Sequence, residues 1–125
     1  MVEPLGELQL KVMNVIWDRG QATVSDVHEE ISASRNIAYT TVLTTMQALE
    51  RRRMVTHDTV GKAYRYWPAV SREQYTDASV DRLVGDLFDG RQEKLLCHLL
   101  GADRVSQADV RAIRDVIGRS EGGGA

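Results

Sequence analysis

The chain has one cysteine, no long apolar run and no strong net charge, and each shortage excludes a class of protein. Cys97 alone cannot build a disulfide framework or a cysteine zinc site within one chain, and a reducing compartment fits. No apolar run approaches the roughly 18 residues that span a bilayer. The first residues also lack the basic-then-apolar pattern of an export signal. We therefore expect a cytoplasmic protein with no direct membrane insertion.

Catalytic motifs are missing as well. The sequence has no glycine-rich phosphate loop, no carboxylate pair with a predicted pocket and no nucleophile elbow. Cys97 adjoins His98, but neighbouring residues on a helix point in different directions, which disfavours a catalytic pair. His28, His57 and His98 are far apart in sequence and predict no metal site. We expect neither an enzyme nor a cofactor.

The 125 residues are enough for one small domain with an appendage, and their charge is unevenly distributed. The whole chain carries a net charge of −2. Residues 35–65 contain six basic residues against two acidic ones, a net charge of +4, whereas residues 1–34 carry −4 and residues 66–125 carry −2. A local basic face matters more for contact with phosphates than the sum over the chain.

Two helices are predicted before the basic stretch. Residues 5–19 place apolar side chains at helical spacing, and Trp17 is expected to anchor the core. Thr23 followed by Asp26 predicts the capping box that starts the second helix. His28 in this second helix is expected to lie on its solvated face.

The third predicted helix, from about Tyr39 to Arg53, has two unlike faces. Val42, Met46 and Leu49 recur at i, i+4 and i+7 and predict its buried face. The opposite half is rich in threonine, a poor helix former because branching at Cβ restricts its rotamers. Short hydroxyl side chains suit a surface that approaches a DNA groove, where they contact phosphates, bases or thymine methyl groups. That half consists of Thr40, Thr41, Thr44, Gln47, Ala48 and Arg51.

A short basic hairpin follows this helix. Residues 54–67 predict two strands, MVTH and AYRYW, joined by a turn near residues 58–61. Lys62 at the tip is placed to reach a minor groove or the DNA backbone, and Pro68 ends the second strand. Taken separately, the helix and the hairpin also fit ordinary protein surfaces. Their direct succession is typical of a winged helix-turn-helix.

Residues 71–118 predict three short helices, the first opened by a capping box at Ser71 and Gln74. So small and leucine-rich a segment rarely supports its own core, so a second copy related by a two-fold axis is its simplest cover. The alternative is that it folds back onto the N-terminal domain, for which residues 68–71 leave little linker. The predicted dimer interface comprises Tyr75, Val80, Leu83, Val84, Leu87, Phe88, Leu95, Leu96, Leu99, Leu100, Val110, Ile113 and Ile117.

The predicted fold is mainly α with a small antiparallel wing of two or three strands. Residues 1–70 form the winged DNA-binding domain, residues 71–118 the dimerisation domain and residues 119–125 a disordered tail. Two subunits would contact half-sites about one helical turn apart, roughly 10 base pairs. The predicted DNA-binding residues are Arg35, Tyr39, Thr40, Thr41, Thr44, Thr45, Arg51, Lys62 and Arg65.

The segments LKVMNVIW, YTTVLTTMQALERRRMV and GKAYRYWP follow one another as in the BlaI/MecI family of penicillinase repressors, which the chain resembles from about Leu5 to Ile117. The resemblance implies a homodimer that binds palindromic double-stranded operator DNA and represses β-lactamase and related genes. It also implies that a β-lactam-sensing membrane protease triggers cleavage in the C-terminal module. The family's cleaved Asn-Phe bond corresponds here to His98-Leu99, a departure from the family pattern.

Three alternative functions each have requirements that can be compared with the sequence. Copper-responsive relatives carry a C-terminal cysteine cluster, which the ending SEGGGA lacks, so copper sensing is disfavoured. A winged domain used only for protein contact would show no salt-dependent DNA binding. A small-ligand-responsive regulator of the multiple-antibiotic-resistance type usually has an extra N-terminal dimer helix, whereas the first helix predicted here begins almost at Met1.

Overall fold

A computed structural model describes residues 3–101 and 104–123, which form six helices and three short strands. This architecture confirms the predicted fold class. Within the described ranges, no helix is both long enough and apolar enough to cross a membrane. The elements are α1 (Glu7–Arg19), β1 (Ala22–Thr23), α2 (Val24–Ser32), α3 (Tyr39–Arg51), β2 (Val55–Val60), β3 (Ala63–Pro68), α4 (Arg72–Phe88), α5 (Gln92–Gly101) and α6 (Gln107–Gly123).

The chain divides into two compact units, unit 1 (Met1–Ser79) and unit 2 (Val80–Ala125). The sequence suggested a division at residues 70 and 71, whereas the structure divides the chain within α4. The first two turns of α4 therefore belong to the winged unit.

Local sequence signals set the helix ends of unit 1. Gly20 adopts a left-handed conformation (φ 81°) and donates its N–H to the carbonyl of Ile16 at 2.8 Å, which closes α1. At the start of α2, the backbone N–H of Asp26 donates to Thr23 Oγ1 at 3.1 Å, and the Thr23 N–H donates to Asp26 Oδ2 at 3.0 Å. These reciprocal bonds confirm the predicted capping box.

Equivalent boxes open two of the helices that follow the wing. Gln74 N–H donates to Ser71 Oγ at 3.0 Å and Ser71 N–H to Gln74 Oε1 at 2.9 Å, as predicted for α4. Ser106 and Asp109 make the same pair of bonds at the start of α6. Hydrogen bonds from Ser106 to the ionised carboxylate hold the pKa of Asp109 below its ordinary value.

The core of unit 1 lies where the three N-terminal helices meet the sheet. The α3 stripe Val42, Met46 and Leu49 is fully buried, as predicted, and Tyr66 on β3 closes the core from the sheet side. Full burial of each such side chain stabilises the fold by about 1.5–3 kcal/mol. Met13 of α1 is also fully buried.

The wing is longer than the sequence predicted. The sheet has the order β1-β3-β2 and is antiparallel, and β2 continues to Val60, which pairs with Ala63. The predicted turn at residues 58–61 is therefore wrong. The chain reverses at Gly61 and Lys62 because Gly61 accepts a left-handed conformation (φ 63°) without a Cβ clash. Pro68 is the last residue of β3 and lies opposite Val55.

The predicted α3 boundary at Arg53 is also wrong. The helix ends at Arg51, Arg52 caps it, and Arg53 turns left-handed (φ 61°), which breaks the helical repeat. The Arg52 guanidinium donates to Gln9 Oε1 at 2.7 Å and to the carbonyls of Glu3 and Pro4 at 3.1 Å. Arg52 therefore ties the end of α3 to the start of the chain.

The sequence predicts a disordered tail over residues 119–125. Helix α6 continues to Gly123, and residues 124 and 125 lie outside the described residues. Glycine costs about 1 kcal/mol in a helix interior but removes no backbone donor, so it weakens the helix without forbidding it.

We predict that Arg52→Ala lowers the free energy of unfolding by about 1–2 kcal/mol, since charge-assisted hydrogen bonds between distant segments are lost. Arg51→Ala is the matched control, because the exposed Arg51 side chain forms no ion pair or side-chain hydrogen bond within the described residues. It should change stability by less than about 0.5 kcal/mol. Urea unfolding followed by circular dichroism measures both, and equal losses would refute the tie.

Candidate nucleic-acid interface

Burial of one face of α3 leaves the other face in solvent. Thr40, Thr41 and Thr44 are exposed, and Gln47 and Arg51 extend the same exposed surface towards the C-terminal end of the helix. We call these five residues the α3 outer face. Its hydroxyl, amide and guanidinium groups are donors and acceptors suited to base edges and phosphates.

Thr45 differs from the other threonines of α3. It is half-buried, and its Oγ1 donates to the carbonyl of Thr41 at 2.7 Å. The hydroxyl is thus already bonded to the helix backbone. Among the predicted DNA-binding threonines, Thr45 is the least available to an outside ligand.

Contacts at both ends hold α3 in place. Near its start, His28 Nε2 lies 2.9 Å from the carbonyl of Ile37, and the His28 ring meets the Tyr39 ring edge-on at 5.8 Å. His28 is therefore half-buried, and the prediction that it lies on a solvated face is wrong, because the turn before α3 folds over it. Near its end, Glu50 bonds His57 of β2. The second contact joins α3 to the wing.

The His57 ring is also part of the wing's packing. Its centroid lies 4.4 Å from that of Tyr64 and 5.4 Å from that of Tyr66. Since Tyr66 is buried in the core and Glu50 belongs to α3, the hairpin is held relative to α3 as well as to the sheet.

A cleft of about 260 Å³ lies between α2, α3 and the wing. It places Tyr39 and Lys62, two of the predicted DNA-binding residues, around one space. The first turn of α2 also reaches it, and the N-terminus of a helix carries partial positive charge. The lining residues are Thr23, Val24, Ser25, Tyr39, Leu43, Lys62, Ala63 and Tyr64.

The predicted cations differ in whether they are already paired. The Arg65 guanidinium lies 3.1 Å from Asp58 Oδ2 and 4.6 Å from the centre of the Trp67 ring, and its hydrogen bond lowers the pKa of Asp58. Arg35 Nη1 lies 3.8 Å from Glu7 Oε1. Lys62, exposed at the tip, forms no ion pair with any described residue.

The pairing of Asp58 with Arg65 was not predicted from the sequence. The two residues face each other in the register of β2 and β3. Had the turn been predicted at residues 61 and 62, the resulting strand register would have placed Asp58 opposite Arg65. Opposite charges often face each other across antiparallel strands.

Unit 2 carries an exposed apolar surface. Leu87 is 69% exposed, and a cavity of about 300 Å³ lined almost entirely by aliphatic side chains lies between α5 and α6. Val116, which the sequence analysis left out, is also exposed. We call the exposed members the unit 2 apolar face: Val80, Leu83, Leu87, Leu96, Leu100, Ile113, Val116 and Ile117.

Tyr75, predicted in the dimer interface, lies instead in the core of unit 1, because its ring packs on Trp17 at 5.8 Å. Val84 is also buried. Four further predicted interface residues are half-buried rather than exposed: Phe88, Leu95, Leu99 and Val110.

The His98-Leu99 bond lies inside α5. His98 is exposed, with its ring 6.0 Å from that of Phe88, and Leu99 lines the cavity between α5 and α6. Cys97 is exposed. Within the part of the chain that the structure describes, no group of three or more His, Cys, Asp or Glu residues is placed to hold a metal ion.

Known proteins resemble this chain along most of its length. It is 34% identical over 121 residues to the transcriptional regulator BlaI of Mycobacterium tuberculosis, which covers 95% of this chain and 86% of that protein. It is 17% identical over 115 residues to the methicillin resistance regulatory protein MecI of Staphylococcus aureus, covering 92% and 94% of the two chains.

Two solved structures share the fold of the winged unit. The DNA-binding domain of the repressor BlaI in solution matches with a TM-score of 0.54 at 23% identity, covering 60% of this chain and 92% of that one. Monomeric Bacillus licheniformis BlaI in complex with the blaP half-operator matches over the same shares with a TM-score of 0.52. The family model described as Penicillinase repressor matches residues 5–119, and the chain therefore belongs to the penicillinase repressor family of transcriptional regulators.

Proposed function

We propose that this chain is a homodimeric repressor that binds palindromic operator DNA of β-lactamase and related genes. The observation that carries the proposal is the exposed α3 outer face beside a cleft that holds the unpaired Lys62. Membership of the penicillinase repressor family supports it, as does the fold shared with a BlaI bound to a half-operator.

In the proposed complex, α3 of each subunit enters a major groove. Thr40, Thr41 and Thr44 contact base edges or phosphates, and Arg51 contacts the backbone. The cleft between α2 and the wing receives the neighbouring phosphates, because Lys62 and the N-terminus of α2 both favour an anion there. Phosphate contacts position the protein, and the few base contacts select the sequence.

Asp58 modulates this electrostatic contact in the proposed complex. Its carboxylate repels phosphates and also holds the Arg65 guanidinium over the Trp67 ring. Arg65 is therefore less available to a phosphate than the unpaired Lys62. We therefore expect Lys62 to contribute more to DNA affinity than Arg65, although the sequence analysis treated them alike.

We predict that Lys62→Ala weakens binding to the DNA upstream of the protein's own gene by roughly threefold to tenfold and reduces the salt slope by about one. Arg65→Ala should have a smaller effect. Asp58→Asn should act in the opposite direction and raise affinity by roughly twofold to fivefold, since a charge that repels phosphate is removed. Fluorescence anisotropy across a salt series measures all three.

Lys94→Ala is the control for this series, because it removes one exposed lysine from α5, outside the proposed interface. The wing assignment fails if Lys62→Ala matches this control. The operator hypothesis fails if the unaltered protein binds a scrambled duplex as tightly as the upstream DNA. That second outcome would favour a winged domain used for protein contact.

The proposed dimer covers the unit 2 apolar face with the same face of a second copy. A monomeric protein rarely leaves so many large aliphatic side chains exposed on one small helical unit. A two-fold axis lets one patch cover itself, and it also matches the symmetry of a palindromic operator.

We predict that Leu96→Glu, at a position 53% exposed in the single chain, produces a monomer in sedimentation equilibrium. Burying an unpaired carboxylate in an apolar interface is strongly unfavourable. Affinity for the full palindrome should fall by roughly a hundredfold, with single half-site affinity unchanged. Gln107→Glu, which adds the same charge at an exposed position of α6, should remain dimeric. A dimeric Leu96→Glu protein would exclude this face as the interface.

We propose further that derepression follows cleavage at His98-Leu99 through a β-lactam-sensing membrane protease. A protease binds an extended chain, so a bond inside α5 is cut only when that helix opens locally. Breaking α5 would remove Leu96 from the chain segment that carries Leu100, and so divide the unit 2 apolar face.

We predict that β-lactam treatment of the native host yields a fragment ending at His98, detected by mass spectrometry of the immunoprecipitated protein. His98→Pro should alter the rate of this cleavage while unit 1 still binds DNA, because proline breaks α5 alone. Release of the operator with every chain intact would refute the cleavage route and leave the DNA-binding proposal standing.

A further inference from the structure

The chain between the wing and α4 is not a free linker. The backbone N–H groups of Ala69 and Val70 both donate to the carbonyl of Met54, at 2.8 and 3.3 Å. The carbonyl of Val70 in turn accepts a hydrogen bond from Trp17 Nε1 at 2.9 Å. Two residues after β3, the chain is therefore still bonded to the rest of unit 1.

The first turn of α4 makes two more contacts with the same tryptophan. The Tyr75 ring, 9% exposed, lies 5.8 Å from the Trp17 ring, and its hydroxyl accepts the N–H of Leu5 at 3.0 Å. The Arg72 guanidinium lies 5.3 Å from the Trp17 ring and donates to Asp18 Oδ1 at 2.7 Å.

Trp17 thus holds this segment through a carbonyl, a cation and an aromatic ring. We call Trp17, Arg72, Tyr75 and the Val70 carbonyl the Trp17 joint. The hydrogen bond holds the backbone at Val70, and the Tyr75 and Arg72 contacts hold the first turn of α4 against the Trp17 ring. Asn14 reinforces Arg72, since its backbone carbonyl lies 3.3 Å from Nη2 and its side-chain oxygen 3.4 Å.

We infer that the Trp17 joint is a positioning device that makes operator binding depend on the spacing between half-sites. The inference rests on the proposed function, in which unit 2 dimerises. Helix α4 runs without a break from Arg72 to Phe88, so it begins at the joint in unit 1 and ends in unit 2. In this inference, the helix transmits the restraint of the joint to the dimerising unit.

The spacing between two half-sites on a duplex strongly restricts how such a dimer can bind. Inserting five base pairs moves a half-site by about 17 Å and turns it to the opposite side of the duplex. A flexible tether accommodates this change at a modest loss of effective concentration, whereas an anchored helix does not. The joint therefore supplies selectivity that no base contact provides.

Stability alone does not account for the presence of Arg72 in the joint. The Arg72 and Asp18 side chains are 48% and 62% exposed, and exposed ion pairs contribute little to folding. Arg72 and Tyr75 also lie outside the proposed DNA-contacting surface. Their removal should change the orientation of α4 more than the affinity of a single winged unit for DNA.

The test uses the full-length protein with the double variant Arg72→Ala/Tyr75→Ala, which removes both the cation and the aromatic ring from Trp17. Residual dipolar couplings report whether α1 and residues 72–79 share one orientation in solution. Anisotropy titrations then compare the upstream DNA with duplexes in which the half-site spacing is changed in single base-pair steps up to five. Arg91→Ala is the control, because within the described ranges the Arg91 side chain pairs with its near neighbour Glu93, at 2.6 Å between Nε and Oε1.

We expect α1 and residues 72–79 to share one orientation in the unaltered protein and in the control. In the double variant, we expect these two segments to have different orientations. The ratio of affinities at native and five-base-pair-longer spacing should fall by about tenfold or more in the double variant, with half-site affinity unchanged. An unaltered protein whose α1 and residues 72–79 orient independently would overturn the joint, whatever its DNA binding.

The joint and the proposed function fail in different ways. Shared orientation with an unchanged spacing ratio in the double variant would overturn the inference while the repressor proposal stands. No preference of the unaltered protein for the upstream DNA over scrambled DNA would refute the proposed function and, with it, any role of the joint in spacing. The dipolar couplings would still report whether the segment is rigid.

Discussion

Burial of one face of α3 is the constraint on which the rest of the structure depends. Val42, Met46 and Leu49 are completely removed from solvent between the other helices of unit 1 and the sheet. A helix has one rotation about its axis that achieves this, so the threonines on the opposite side necessarily face outward. The function proposed for the α3 outer face is therefore a consequence of packing on its other side.

Charge in unit 1 is divided between groups that hold the fold and groups that remain available. Arg52 binds backbone carbonyls, and Arg65 is held by Asp58, although sequence shows both only as parts of one basic stretch. Lys62 stands at the tip without an ion pair among the described residues. A net positive segment thus offers fewer available cations than its composition suggests.

Aromatic residues connect the separate parts of this small protein. Trp17 joins α1 to the start of α4, and His57 joins the end of α3 to the wing through Glu50 and two tyrosines. Each is a flat side chain with a polar edge, so one residue both fills space and fixes a direction. Two small elements, a hairpin and the first turn of a helix, are held in this way by few residues.

Local patterns in the sequence were sufficient for the fold class, the α3 stripe and the capping boxes at Thr23 and Ser71, because these depend on residues within one or two helical turns. Tertiary structure decided what depends on distant partners: Tyr75 packs on Trp17 rather than in the predicted interface, Arg65 pairs across the hairpin with Asp58, and α3 stops before Arg53. Periodicity reports which face of an element is buried, but it carries no information on what lies against that face.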